Sequence, residues 1–199
     1  MDVKKSGRFI VVEGIDGTGK STLSERLCAA LSGEILPRRT ERAAEKLKRL
    51  RTAGAPQCAL QAAYLAGIAE VSNTLVVPGL AGGKTLLADR WVGGQIASGR
   101  LHAAIAGKPS CSGSCALMSL GTIAVPDVVV FLTAHDAVRR ERMSGREQLS
   151  PNDEASFASG AQDLYRQSIS TTYAVTRVVE IDASVLDQGA VLAEALRYI

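Results

Sequence analysis

A chain of 199 residues, 46% hydrophobic and 22% charged, is long enough to bury one core and has the balance of an ordinary globular protein, not a disordered or fibrous one. A formal net charge of +3 from 23 basic and 20 acidic residues, with no basic tail, argues against nucleic acid as a partner. No signal-peptide core and no apolar stretch of about 18 residues stands out, so the expectation is one cytoplasmic domain over 1–199 with no membrane partner.

The first predicted element is a strand over 9–13 (FIVVE), an apolar run of the kind that a parallel sheet buries on both faces. It leads into Gly14-Ile15-Asp16-Gly17-Thr18-Gly19-Lys20-Ser21, then Thr22 and a helical pattern over 20–31. The stretch satisfies G-x-x-x-x-G-K-[ST], with the strand before it and the helix after it that a phosphate loop requires. Its glycines let successive N–H groups turn inward on phosphate oxygens, and the helix N-terminus adds partial positive charge. Lys20 would reach the β and γ phosphates of a nucleoside triphosphate, and the Ser21 hydroxyl would ligate Mg²⁺. A glycine-rich turn that binds nothing is the bland alternative, and both pattern and context stand against it.

A weaker strand near 34–36 and helical patterns over about 41–51 and 57–76 come next, followed by a strand over 85–89 (TLLAD). That strand ends on Asp89-Arg90-Trp91, where a carboxylate and a guanidinium emerge together. Asp89 could hold Mg²⁺-bound water and Arg90 could clamp an anionic substrate, or Asp89 could merely cap the following helix beside a solvated Arg90. Helices over 93–105 and 114–122 precede a strand over 128–132 (VVVFL) and a helix over 136–143.

Arg139, Arg140, Arg142 and Arg146 then lie within eight residues, and Ser144-Gly145 interrupts the helix. A short arginine-bearing lid over about 143–152 would close on a triphosphate and neutralise charge on the transferred group. A solvated helix face, with Arg139 and Arg140 pointing outward, is the alternative expected for at least one of the four. A helix over 153–172, a strand over 178–182 and a helix over 186–198 complete the chain.

Strands alternating with helices imply a five-stranded parallel sheet flanked by helices, a three-layer α/β P-loop NTPase fold, with ligands at the carboxyl ends of the strands. Among P-loop proteins a GTPase needs an N-K-x-D segment after a later strand, and none is present. Cys28, Cys58, Cys111 and Cys115 form no zinc pattern with His102 or His135, so no structural metal is expected.

The segments FIVVEGIDGTGKST, ADRWVGGQIASG, PDVVVFLTAHDAVRRERMSGR and RVVEIDAS resemble, in order and spacing, those of the thymidylate kinase family, over almost the whole chain. The resemblance implies transfer of the γ phosphoryl group of ATP, with Mg²⁺, to a nucleoside 5′-monophosphate, and a homodimer; the apolar faces of the helices over 57–76 and 93–105 could supply its contact or could equally be core. It places Asp16 near the acceptor, Arg90 on the acceptor phosphate with Arg38 or Arg39 assisting, Arg142 against the adenine, and Arg146 on the lid as the catalytic arginine. The last assignment fits a loop carrying Gly17 where some members place that arginine.

Four departures bear on the acceptor. The run after the second strand reads Pro37-Arg38-Arg39-Thr40-Glu41-Arg42, without the family's glycines. Aligning the helix before the third strand puts Tyr64 where an aromatic stacks on the base and Ile68 where an arginine reads a base carbonyl. Gly93-Gly94-Gln95 and CSGSCALMSLGT, 111–122, replace segments near the acceptor, with Gln95 still expected in its pocket. Losing a hydrogen-bonding reader relaxes or redirects base choice. The expected function is therefore phosphorylation of dTMP to dTDP; the alternatives are a kinase of the same build for another monophosphate or a non-nucleotide acceptor, and an ATP-binding regulatory protein.

Overall fold

The structure is a computed structural model that describes residues 7–110, 121–145, 148 and 150–199. Apolar β-rich runs form five strands: β1 (Arg8–Gly14), β2 (Glu34–Ile35), β3 (Thr85–Asp89), β4 (Val128–Thr133) and β5 (Arg177–Asp182). All pair in parallel in the order β2-β3-β1-β4-β5, so the chain winds to one side of β1 and then to the other. The crevice above the end of β1 is the switch point at which such sheets bind ligands. Register places Asp89 level with Val12 and Gly14 level with Leu132.

Alternation along β1 divides the core. Phe9 and Val11 face one side with Leu86, Ala88, Val129 and Phe131, under α3 (Gln57–Val71), α5 (Val92–Ile105) and α8 (Ala161–Thr172). Ile10 and Val12 face the other, under α1 (Lys20–Leu31) and α9 (Gln188–Leu196). Each side chain on an alternating strand lies on one face, so a central strand apolar at every position serves two cores. Trp91 is clamped edge-on against Phe9, with ring centroids 5.2 Å apart, which fixes the start of α5 just above the β1 end.

Three boundaries differ from expectation. The helix expected over 57–76 runs on as one 25-residue helix, Gln57–Ala81, through a π turn (Ser72–Val76) and α4 (Val77–Ala81). The widened turn sits just before Pro78, whose ring would crowd the Thr74 carbonyl in a regular α-helix. By length and composition this helix could cross a membrane, which the reading of short apolar runs overlooked; Leu65, Ile68, Val71, Val76 and Leu80 instead line its buried side in the core. The helix expected over 153–172 is broken into α7 (Pro151–Ala155) and α8 by turns over 156–160, the last of which, Gly160 at a left-handed φ of 75°, sits at the N-cap of α8. The last helix starts at Gln188, where Asp187 caps it by accepting from the Ala190 N–H at 2.8 Å. The helix expected over 114–122, with Cys111 and Cys115, falls almost entirely outside the described residues.

Candidate active site

The loop after β1 wraps the N-terminus of α1. Lys20 is buried, and its Nζ donates to the Ile15 carbonyl at 2.8 Å and to Asp16 Oδ1 at 3.5 Å. Burial, helped by the Arg90 cation, lowers the pKa of this ammonium to about 8. A poorly solvated cation at a helix N-terminus is a strong site for a triphosphate. Gly17, at φ 85°, has no room for a side chain: a Cβ there would lie 2.8 Å from Met143 Sδ and 3.0 Å from Arg139 Cβ. An arginine at position 17 would meet a strained backbone and press on Met143 and Arg139.

The end of β3 is wired to the same loop. Ser21 Oγ donates to Asp89 Oδ2 at 2.7 Å, and Arg38 Nη2 donates to the same oxygen at 2.9 Å. Burial pushes the Asp89 carboxyl up, but the Ser21 and Arg38 contacts outweigh it and hold the pKa below the ordinary value. Asp89 Oδ1 is buried without a hydrogen-bond partner. A hydroxyl and a carboxylate in contact, with one oxygen uncommitted, form a hard-oxygen pair of the kind that holds Mg²⁺, directly or through its waters. Asp89 is thus no helix cap; Trp91 occupies that position on α5.

Arg90, at a left-handed φ of 75°, turns back over the loop and donates to Asp16 Oδ1 at 2.8 Å, to the Gly14 carbonyl at 3.4 Å and to Tyr165 Oη at 3.4 Å. Burial works against its charge, but Tyr165, Asp16 and Glu13 more than compensate and raise its pKa. Asp16 is likewise pushed up by burial and then held low by Arg90 and Lys20.

Two cavities open at these residues. One, of about 690 Å³, is lined by the phosphate loop from Asp16 to Leu23, by Arg142 and Met143, and by the segment Leu186-Asp187-Gln188. The other, of about 540 Å³, is lined by Arg39, Arg51, Tyr64, Ile68, Trp91 and Gln95 among others. Arg38, Arg90 and Ser150 border both. The first has the size and phosphate cradle for a nucleoside triphosphate; the second joins it at two guanidiniums, where a phosphate acceptor belongs.

The arginine cluster splits by role. Arg142 faces the first cavity, donating to the Thr18 carbonyl at 3.3 Å and to the Ala183 carbonyl at 2.7 Å. Arg140 is exposed and lies over Phe157, 4.1 Å from its centroid, which matches the surface alternative. Arg139 overturns that alternative for itself, because it is fully buried. Its Nε donates to the Asp16 carbonyl at 2.8 Å, its Nη1 to Asp136 at 2.6 Å and its Nη2 to Ser156 Oγ at 2.8 Å. It braces the phosphate loop from below through α6 (Asp136–Met143). Arg146 lies outside the described residues.

Of the expected acceptor residues, Arg38, Arg39, Tyr64, Ile68, Arg90 and Gln95 share one cavity, whereas Asp16 lines the other and Asp89 is on the lining of neither. Ile68 contributes no polar group and belongs chiefly to the core. Sequence reasoning missed Arg51, which donates to Tyr64 Oη from the end of α2 (Glu41–Thr52) while Arg39 lies 5.0 Å from the centroid of the same ring. It also missed the locked amide pair in which Gln61 Nε2 donates to the Gln95 carbonyl at 2.7 Å and Gln95 Nε2 to Gln61 Oε1 at 3.0 Å. No local signal marks these contacts, which join three separate helices.

Comparison with known proteins agrees with this geometry. The family profile described as thymidylate kinase matches residues 12–186. A curated thymidylate kinase of Solidesulfovibrio magneticus is 27% identical over 187 residues, covering 86% of each chain. Among solved structures, the thymidylate kinase of Candida albicans superposes with a TM-score of 0.69 at 18% identity, covering 96% of this chain and 90% of that one. A deoxyadenosine kinase from M. mycoides, solved with the products dCMP and dCDP, gives 0.66 at 15% identity over 95% and 96%. The thymidylate kinase of Ehrlichia chaffeensis gives 0.66 at 20% over 96% and 97%. With a profile match spanning most of its length and a phosphate loop, strand-end Asp-Arg pair and two adjoining cavities in place, the chain belongs to the thymidylate kinase family.

Proposed function

We propose that the protein transfers the γ phosphoryl group of ATP to a nucleoside 5′-monophosphate, converting dTMP to dTDP. The observation that carries this reading is the shared border of the two cavities. Arg38 and Arg90 belong to both walls, so a triphosphate end and a monophosphate entering from opposite sides meet at the same guanidiniums. Phosphoryl transfer needs alignment and charge neutralisation more than covalent help from the protein, and the site supplies both.

In this mechanism the phosphate loop and Lys20 hold the β and γ phosphates, and Arg142 faces the nucleoside end of ATP. Ser21 and Asp89 hold Mg²⁺, which supplies charge neutralisation when bound. Arg38 and Arg90 exchange their carboxylate partners, Asp89 and Asp16, for acceptor phosphate oxygens. Asp16 then lies beside the acceptor. Arg146 closes on the transferred group from the lid; Arg146→Ala should lower kcat far more than it weakens ATP binding, and equal losses would make it a binding residue only.

The base stacks on Tyr64, and with Ile68 apolar its polar edge is left to Arg51 and Gln95. A homodimer is part of the same proposal, with exposed Leu75 and Val77 on the long helix available to it; sedimentation measures it directly. The deciding experiment is ADP release with Mg·ATP against dTMP, dUMP, dCMP, dAMP and dGMP. Fastest turnover on dTMP is expected, and turnover on another base would move the assignment within the family. A silent panel with intact ATP binding would defeat the kinase reading for these acceptors.

A further inference from the structure

Glu13, the last side chain before the phosphate loop, touches neither cavity, yet it is fully buried next to the residues that do. Its Oε1 accepts from the Trp91 N–H at 3.1 Å, the Gly94 N–H at 2.9 Å and Tyr173 Oη at 3.0 Å. Tyr173 Oη in turn accepts from the Gly93 N–H at 3.1 Å. The free N–H groups that open α5 have no cap from their own segment, so a carboxylate from β1 and a phenol from beyond α8 cap them from across the fold.

The chain clears space for this. A Cβ on Gly94 would lie 2.2 Å from Glu13 Oε2 and 2.8 Å from Arg90 Cγ, and one on Gly93 would lie 2.5 Å from the Tyr173 ring. The two glycines are thus the complement of Glu13 and Tyr173. Glu13 Oε2 and Arg90 Nε are both buried without a hydrogen-bond partner, and the two side chains, through Glu13 Oε2 and Arg90 Cγ, border the same face of Gly94. One is an acceptor and the other a donor. The backbone of Arg90 is held at a φ of 75° by flanking bonds: the Arg90 N–H to the Val12 carbonyl at 2.9 Å and the Trp91 N–H to Glu13. A non-glycine residue persists in that conformation only where its surroundings enforce it.

We infer that Glu13 is the positioning residue for Arg90: its carboxylate fixes the strained turn that aims the guanidinium at the junction of the two cavities, and its second oxygen serves as the buried counter-charge to that side chain. This rests on the reading of Arg90 as the acceptor-phosphate ligand. A cap alone needs only a neutral acceptor, whereas a counter-charge needs the carboxylate, and that difference separates a positioning role from a structural one. Glu13→Gln keeps the shape and one carbonyl oxygen for Trp91 and Gly94, but turns a donor toward Arg90.

The test is steady-state kinetics of Glu13→Gln with Mg·ATP and dTMP, or with the best acceptor of the panel. The expected result is a rise of about tenfold in KM for the acceptor with KM for ATP nearly unchanged, the scale of one hydrogen bond to a charged group. In an Arg90→Met background the same change should have no further effect on acceptor KM, as coupling through Arg90 requires. An unchanged acceptor KM in folded Glu13→Gln, or equal rises for both substrates, overturns the inference. If Glu13→Gln does not fold, Gly94→Ala presses on the Glu13 and Arg90 side chains and should show the same split; if neither folds, Glu13 is a folding residue and the inference fails. A wild-type protein inactive on every monophosphate would instead defeat the acceptor reading itself.

Discussion

The two cavities are built by opposite means. The first is made largely from consecutive backbone, the loop from Asp16 to Leu23 wrapped on a helix N-terminus, with Lys20 as its one buried cation. The second is made from long side chains that converge from separate elements: Arg38 and Arg39 after β2, Arg51 from α2, Tyr64 from α3, Arg90 after β3 and Gln95 from α5. A site made of backbone is fixed by the fold and holds any triphosphate in much the same way. A site made of side chains is free to change with each substitution.

Lys20→Ala should break the first half outright. A loss on the order of 10³-fold or more in kcat is expected, with the circular dichroism spectrum retained; near wild-type turnover would sink the kinase assignment. Arg90→Met tests the border. It should cost on the order of 10²-fold in kcat/KM for the acceptor while ATP binding, measured by calorimetry, falls much less; equal losses would place Arg90 with the triphosphate.

Arg139→Met leaves the Asp16 and Ser156 carbonyls short of a donor, so a stability loss of about 3 kcal/mol is expected in thermal or urea unfolding. If stability holds, the brace beneath the loop is not a real support. The pH dependence sharpens the contrast. Lys20 carries its proton below about pH 8 and loses it above, so kcat/KM for ATP should fall as pH rises through that value; a profile flat to about pH 9.5 would show the ammonium held more firmly than burial implies. Smallest, Arg51→Met should alter only the second half, by a few-fold to tenfold in acceptor KM and unequally among bases, leaving ATP untouched.

The same division governs what could be read in the sequence. The phosphate loop is contiguous, and its pattern encodes backbone geometry, so Lys20, Ser21 and the turn of Gly17 were visible. The strands were visible because burial on both faces demands unbroken apolar runs. Arg139 was misread as a surface candidate because helical spacing shows which residues share a face but not that Ser156 and the Asp16 carbonyl wait on that face. Arg51, Gln61 and Glu13 act across distances of 13, 34 and 81 residues, and no local pattern encodes such contacts. The turns over 156–160 were missed because no proline marks them and the left-handed φ of Gly160 is a backbone conformation that residue spacing does not announce.

The border formed by Arg38 and Arg90 has an energetic corollary. Two polyanions that draw on the same pair of guanidiniums cannot bind independently: whichever arrives first releases Asp16 or Asp89 and changes the field the second one meets. The resulting cooperativity, of whichever sign, must be equal in both directions at equilibrium. Titrating ATP at fixed monophosphate and monophosphate at fixed non-hydrolysable ATP should therefore return one and the same interaction factor, and that factor should collapse toward one when Arg38 is replaced by methionine.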